Sequence, residues 1–210
     1  KMLVPIGPVV VFGSSNFPFA YSTAGGDTAS AFAAGCPVIV KAHPGHPQTS
    51  TMVAAIIHQA VAACALPAAT FSHVYGASFE VGKALVMHPC TKAVGFTGSY
   101  AGGKALFDMA NQRKEPIPVF AEMGSVNPVY LMPKKLEQSA EEIAVQYAGS
   151  ITLGVGQFCT NPGIIIAVKG EGFDRFVHAL SAEIAKVPAG NMLHAGIQKA
   201  YDEKRATALA

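Results

Sequence analysis

Residues 8–41, PVVVFGSSNFPFAYSTAGGDTASAFAAGCPVIVK, decide the fold. Two short β-branched runs, PVVVF (8–12) and PVIVK (37–41), flank an Ala-rich segment, TAGGDTASAFAA (23–34), that runs into Gly35. Both runs are apolar throughout instead of alternating, as in strands covered on both faces. The Ala-rich segment reads as a helix and the glycine as its stop. Strand, helix and strand at this spacing predict two parallel strands joined by a right-handed crossover.

Outward from there the rhythm continues. A helix is expected over 49–64, capped by Thr49 or Ser50, with Met52, Ile56, Ala60 and Ala63 as its apolar stripe. FSHVY (71–75), KAVGF (92–96) and IPVFA (117–121) read as strands, with helices over 78–87 and 100–112 between them. After Gly124 the pattern restarts. PVYL (128–131) is a strand, followed by a helix near 136–149, a glycine-rich loop at 154–158, a strand over 163–169 and a helix near 172–186. The reading is an α/β protein with a parallel sheet, divided into 1–124 and 125–210.

Composition narrows the function. Only 13% of the 210 residues are charged and 50% are hydrophobic, so the chain must bury large faces and is not disordered. The 21 glycines and 14 prolines follow no period, which excludes a collagen-like chain. Fifteen Lys and Arg against 13 Asp and Glu give a net charge of +2, no footprint for nucleic acid. Residues 2–26 are uncharged, but Pro5, Gly7, Pro8, Gly13, Asn16 and Pro18 interrupt any membrane span. The uncharged stretch 42–79 holds four histidines and three prolines and is excluded likewise. No signal peptide opens the chain. Cys36, Cys64, Cys90 and Cys159 are far apart, which suits a reducing compartment such as the cytoplasm. A start at Lys1 and a helical-looking tail, YDEKRATALA, suggest an excerpt of a longer protein.

Several residues could carry chemistry. Cys159 lies in GQFCTNPG (156–163), after the glycine loop, where an accessible thiolate can attack a carbonyl carbon; the competing reading is a core cysteine. Cys36, Cys64 and Cys90 fit the core reading better. Glu122, in AEMGSVNP (121–128), stands at the carboxyl end of a strand, where open α/β sheets bind ligands. Partly buried there, it would make a general base; otherwise it is a capping or salt-bridged carboxylate. Asn16, after the first strand, is either an oxyanion donor or a turn residue. Lys41 ends a strand and can grip a ribose or phosphate, or simply face solvent. His43 and His46 are spaced like a metal pair, but Pro44 and Pro47 break the helix that spacing needs, and no metal is expected. FTGSYAGGK (96–104) opens a helix where backbone amides can hold phosphate. As a P-loop it matches at Gly98, Gly103 and Lys104, but Ala105 replaces the Mg²⁺-binding hydroxyl.

In this order the residues are specific. Ser15-Asn16-Phe17-Pro18, Lys41, Phe96-Thr97-Gly98-Ser99, Glu122-Met123-Gly124 and Gly156-Gln157-Phe158-Cys159 form a series that resembles the aldehyde dehydrogenase superfamily along essentially the whole chain. Residues 24–50 and GQFCTNPG look most like the α-ketoglutaric semialdehyde (2,5-dioxovalerate) dehydrogenase group. The resemblance implies a Rossmann-like cofactor domain over 1–124 and part of a second α/β catalytic domain over 125–210. It implies an oxidoreductase acting on a small aldehyde, with Cys159 as nucleophile, Asn16 as oxyanion donor and Glu122 as base for hydrolysis. Lys41 would reach the adenosine ribose; Gly98 and Ser99 would lie under the pyrophosphate, with Ser14, Phe96 and Thr97 beside them; Gly76 and Gly82 would belong to the adenine-side loop. Pro44 stands where NAD-preferring relatives often carry Glu, so NADP is the expected cofactor, with NAD also possible. A full-length parent would form homodimers or homotetramers. Two other readings stay open: a non-catalytic nucleotide-binding fragment and a P-loop phosphotransferase.

Overall fold

A computed structural model describes residues 4–210 and divides them into two compact units, one ending at Gly124 and the other spanning Ser125–Ala210. In the first unit five strands run parallel: β1 (Val9–Phe12), β2 (Val38–Lys41), β3 (Phe71–Val74), β4 (Ala93–Thr97) and β5 (Val119–Glu122). Their order across the sheet is β3-β2-β1-β4-β5. The crossover helices are α1 (Gly26–Ala33), α2 (Pro47–Ala63), α3 (Phe79–Met87) and α4 (Tyr100–Asn111). From β1 the chain builds outward to β3, then returns to lay β4 on the other side. The switch point lies between β1 and β4, and the carboxyl ends of strands at such a point are where open α/β sheets bind ligands.

The wholly apolar central strands are explained by burial on both faces. Val9, Val11, Val38, Val40 and Phe71 pack with Ala31 of α1 and Ala54 and Val61 of α2. Val10, Phe12 and Val94 pack on the other side with Val86, Leu106 and Ala110 of α3 and α4. Near the amino end of β4, the buried Arg113 guanidinium donates to the carbonyls of Val86, His88 (2.8 Å), Thr91 (3.0 Å) and Glu115 (3.2 Å).

The helix over 49–64 needs correction. α2 begins at Pro47, in the first turn where proline is tolerated, with His46 as the preceding cap residue. Its buried face is Ser50, Ala54 and Val61, with Ile57 packed alongside. Met52 and Ile56 are 70% and 63% exposed. Small side chains let α2 approach the sheet, and the Ser50 hydroxyl bonds both Thr23 (2.6 Å) and His73 (2.7 Å), which turns the larger residues outward.

The second unit pairs two parallel strands, β6 (Pro128–Leu131) and β7 (Ile164–Ala167). α5 (Pro133–Thr152), bent at Ser139, and α6 (Glu171–Ala185) pack with them around Leu131, Leu136, Ala140, Ala144, Tyr147 and Phe176. α7 (Ala195–Leu209) buries none of its residues. Among the described residues no helix is long and apolar enough to cross a membrane.

Candidate active site

The loop after β1 carries Asn16 and is built by its own backbone. Ser14 N–H donates to the Tyr21 carbonyl (2.7 Å), Tyr21 N–H to Phe17 (3.2 Å) and Gly26 N–H to Ala20 (3.0 Å). Phe17 and Tyr21 meet edge to face at 5.4 Å. Gly25 allows the closure, since a Cβ there would lie 2.4 Å from the Ala20 carbonyl oxygen. The result holds Asn16 half-buried just beyond β1. Ser14, expected beside a cofactor, has a local role. It is buried, and its hydroxyl donates to the Tyr21 carbonyl, so it serves the loop.

Across the switch point β4 ends in Thr97 and α4 starts at Tyr100. Ser99 Oγ accepts the Gly102 N–H (3.2 Å), which caps the helix. First-turn amides without intrahelical acceptors remain to face an anion at this end. The Phe96 ring lies over Gly98, Gly102 and Gly103, where added Cβ atoms would come within 2.7 to 3.2 Å of it. Thr97 points to the other face of the sheet, its hydroxyl donating to Asp27 Oδ2 (3.2 Å). Lys41 ends β2, half-buried, and is in no ion pair among the described residues. Burial holds its ammonium below the ordinary lysine range. Gly76 has φ +143° and lies against Val81, while Gly82 lets α3 pack on the Phe12 ring. A half-buried cation, a capped helix start, a left-handed glycine turn at Gly76 and a close helix packing at Gly82 fit a dinucleotide.

The alternative P-loop reading gains no support. Helix α4 is already wound from Tyr100, so no wide phosphate loop spans 98–103. Lys104 instead pairs with Asp108 one turn on (2.6 Å). His46 Nε2 bonds the Ser14 carbonyl (2.8 Å) and His43 Nδ1 accepts the Gly45 N–H (3.0 Å). Among the described residues no group of three His, Cys, Asp or Glu could hold a metal. An apolar hollow of about 740 Å³ between α1 and α2, lined by Phe32, Ile57 and Leu66 among others, includes none of the expected site residues.

Glu122 is the last residue of β5. Its carbonyl accepts the Gly98 N–H (3.0 Å), and Met123 wedges against Gly103, where a Cβ would be 2.6 Å from Met123 Cγ. The backbone at Glu122 is thereby fixed to the start of α4. The side chain is exposed, not partly buried as the sequence suggested, because β5 is an edge strand with alternate residues uncovered.

Cys159 lies in the second unit, half-buried in a turn before β7. Its carbonyl accepts from Ser125 Oγ (2.6 Å) and Asn127 Nδ2 (2.8 Å). Asn127 also donates to the Asn161 carbonyl (3.1 Å), and Asn161 Nδ2 donates to the Ile151 carbonyl (2.8 Å). The buried Tyr147 hydroxyl donates to the Pro162 carbonyl. Upstream, Gly154, Val155 and Gly156 all take left-handed backbone, at φ +57°, +59° and +70°. For the β-branched Val155 that conformation is strained. Of the other cysteines only Cys36 is buried; Cys64 and Cys90 are exposed, at the end of α2 and in the turn after α3, so the core reading fails for both.

Ser125, Asn127, Asn161 and Asp27 escaped sequence reading. A signal existed for Asp27, the single charged residue between Lys1 and Lys41. For Asn127 and Asn161 none did, since their carbonyl partners lie 32 to 34 and 5 to 10 residues away.

The fold and these residues define a class, and comparison with known proteins states it. The model of the aldehyde dehydrogenase family matches residues 1–200, and the chain belongs to that family. Over 202 residues it is 55% identical to α-ketoglutaric semialdehyde dehydrogenase 2 of Azospirillum brasilense, covering 96% of this chain and 38% of that enzyme. Over 200 residues it is 48% identical to the α-ketoglutaric semialdehyde dehydrogenase of Acinetobacter baylyi, covering 95% and 38%. The chain thus spans well under half the length of these relatives. A NAD-dependent benzaldehyde dehydrogenase from Corynebacterium glutamicum superposes with a TM-score of 0.71 at 27% identity, over 89% of this chain and 39% of that one. A NAD-dependent aldehyde dehydrogenase from Sinorhizobium meliloti shares the fold, with a TM-score of 0.75 at 23% identity over 92% and 38%.

Proposed function

We propose that the full-length protein oxidises 2-oxoglutarate semialdehyde to 2-oxoglutarate through a covalent intermediate on Cys159. The carrying observation is the half-exposed thiol on a turn whose carbonyls are gripped by Asn127 and Ser125, in a chain 55% identical to an α-ketoglutaric semialdehyde dehydrogenase. In this reading 1–124 is the dinucleotide-binding domain and 125–210 part of the catalytic domain.

Cys159 Sγ, as thiolate, forms a bond to the aldehyde carbon, and the carbonyl pair moves to oxygen. The Asn16 amide and the Cys159 backbone N–H hold that oxyanion; each donor of this kind contributes about 100- to 1,000-fold in rate. A bound nicotinamide dinucleotide supplies the hydride acceptor. Loss of the hydride leaves a thioester on Cys159. Glu122 takes a proton from water, whose oxygen adds to the thioester carbonyl. The C–S bond breaks, the carboxylate leaves, and the thiolate returns.

Lys41 would hold the adenosine ribose, the start of α4 at Gly98 and Ser99 the pyrophosphate, and Gly76 and Gly82 would shape the adenine side, with Phe96 packed beneath. With Pro44 after Lys41, and no Asp or Glu from 42 to 79, no nearby carboxylate in that stretch repels a 2′-phosphate, which favours NADP over NAD. Family membership supports a homodimer or homotetramer. The test is formation of reduced cofactor by the full-length protein, offered 2-oxoglutarate semialdehyde and simple aldehydes with NADP and NAD in parallel. Turnover that disappears in Cys159→Ala, is fastest with the semialdehyde and favours NADP supports the reading. Unchanged turnover in that variant, or a strong preference for NAD, removes the corresponding part of it.

A further inference from the structure

The turn before Cys159 is held against its own backbone preference. Among the described residues, only Val155 and Ala65 take left-handed backbone without being glycine, and Val155 stands between Gly154 and Gly156, which share that conformation. A β-branched side chain opposes it, so the surroundings of the turn must hold it there.

Gln157 does this with both ends of one amide. Its Nε2 donates to the Gly154 carbonyl (2.9 Å), which also accepts the Gln157 backbone N–H (3.2 Å). Its Oε1 accepts the Leu193 N–H (2.9 Å). Leu193 lies in the linker between α6 and α7, residues 186–194. The start of that linker is tied to α6, where the Lys186 and Val187 N–H groups donate to the Glu183 (3.1 Å) and Ile184 (3.0 Å) carbonyls. The same linker meets Val155 at Gly190, where an added Cβ would lie 2.7 Å from Val155 Cγ2. The strained residue is thus braced twice against one linker, by the Gln157 amide and by direct packing. The demand on residue type is specific: a carboxylate at 157 could only accept and would face the Gly154 carbonyl, and an apolar side chain would make neither bond. Ser125 and Asn127 hold the carbonyl of Cys159 itself, so Gln157 supplies the hold on the approach to it.

We infer that Gln157 is a positioning residue for Cys159: by bridging Gly154 to Leu193 it locks Val155 in the left-handed turn that leads the backbone to the thiol. This rests on the reading of Cys159 as the nucleophile. Without the bridge the turn relaxes toward a conformation that Val155 prefers, and the sulfur leaves its line of attack on the aldehyde carbon. A displacement of about 1 Å at a reacting atom is enough to cost about 100-fold in rate.

The test is the first-turnover burst of reduced cofactor in the full-length protein, measured with 2-oxoglutarate semialdehyde and NADP, with NADPH binding followed by fluorescence. Gln157→Ala is expected to slow the burst about 10- to 100-fold and to leave the Kd for NADPH unchanged. Gly190→Ala forces a Cβ onto Val155 from the linker side and is expected to slow the burst in the same direction; it is the independent variant should Gln157→Ala fail to fold. Adding Val155→Gly to either should restore most of the rate, because glycine takes the left-handed turn without a brace. A role in folding alone would not produce that rescue. A native burst rate in both single variants, or a deficit that Val155→Gly does not restore, overturns the positioning role while Cys159→Ala still abolishes the burst. A burst that survives Cys159→Ala overturns the nucleophile reading and the positioning role together.

Discussion

Two irregular loops present the proposed reacting groups, and they are held in different proportions by main chain and side chains. The loop of Asn16 is closed mainly by backbone hydrogen bonds, with the Ser14 hydroxyl and His46 added, and by Gly25, whose missing Cβ makes room for the Ala20 carbonyl. The loop of Cys159 is gripped from outside by side chains, those of Ser125, Asn127, Asn161 and Tyr147. In the first, shape depends mostly on the main chain. In the second, shape depends on a few amides, so losing one affects both stability and the thiol.

The largest effect is expected for Asn16→Ala. As an oxyanion donor its loss should lower kcat about 100- to 1,000-fold. Steady-state kinetics checks this; an unchanged kcat would remove Asn16 from that role. Next comes Asn127→Ala, which leaves the Cys159 and Asn161 carbonyls without that donor. A cost of about 1–3 kcal/mol is expected, together with a changed rate of Cys159 alkylation by iodoacetamide. If alkylation is unaltered, the clamp does not act on the thiol. Gly25→Ala should cost about 1–3 kcal/mol by forcing a Cβ onto the Ala20 carbonyl, read by urea unfolding. The smallest effect concerns His73, which burial, and then the neighbouring His58, hold below its ordinary value of 6.5. A histidine kept neutral by folding contributes stability that is full above about pH 6.5 and lost as pH falls through its depressed folded value. Melting temperature should therefore decline from pH 7 downward more steeply in the native protein than in His73→Gln.

Legibility follows the range of the forces. The parallel sheet could be read because strands buried on both faces must be apolar throughout, as VVVF and VIVK are. PVYL was legible to the residue, since proline starts it and Pro133 begins the next helix. The stripe of α2 was misread because periodicity weighs size, whereas contact with the sheet here selects small residues and a hydroxyl. Glu122 was recognisable by position, but its exposure depends on β5 lying at the sheet edge. Likewise, the partners of Asn127 become visible only when β6 and the turn before β7 are brought side by side.

The most direct test of Cys159 as the nucleophile is to trap the acyl group. The full-length Glu122→Gln protein would be mixed with 2-oxoglutarate semialdehyde and NADP, quenched in acid and digested for mass spectrometry. The account requires one equivalent of reduced cofactor and an acylated Cys159 in the GQFCTNPG peptide. Reduced cofactor formed with Cys159 unmodified throughout the burst would contradict it.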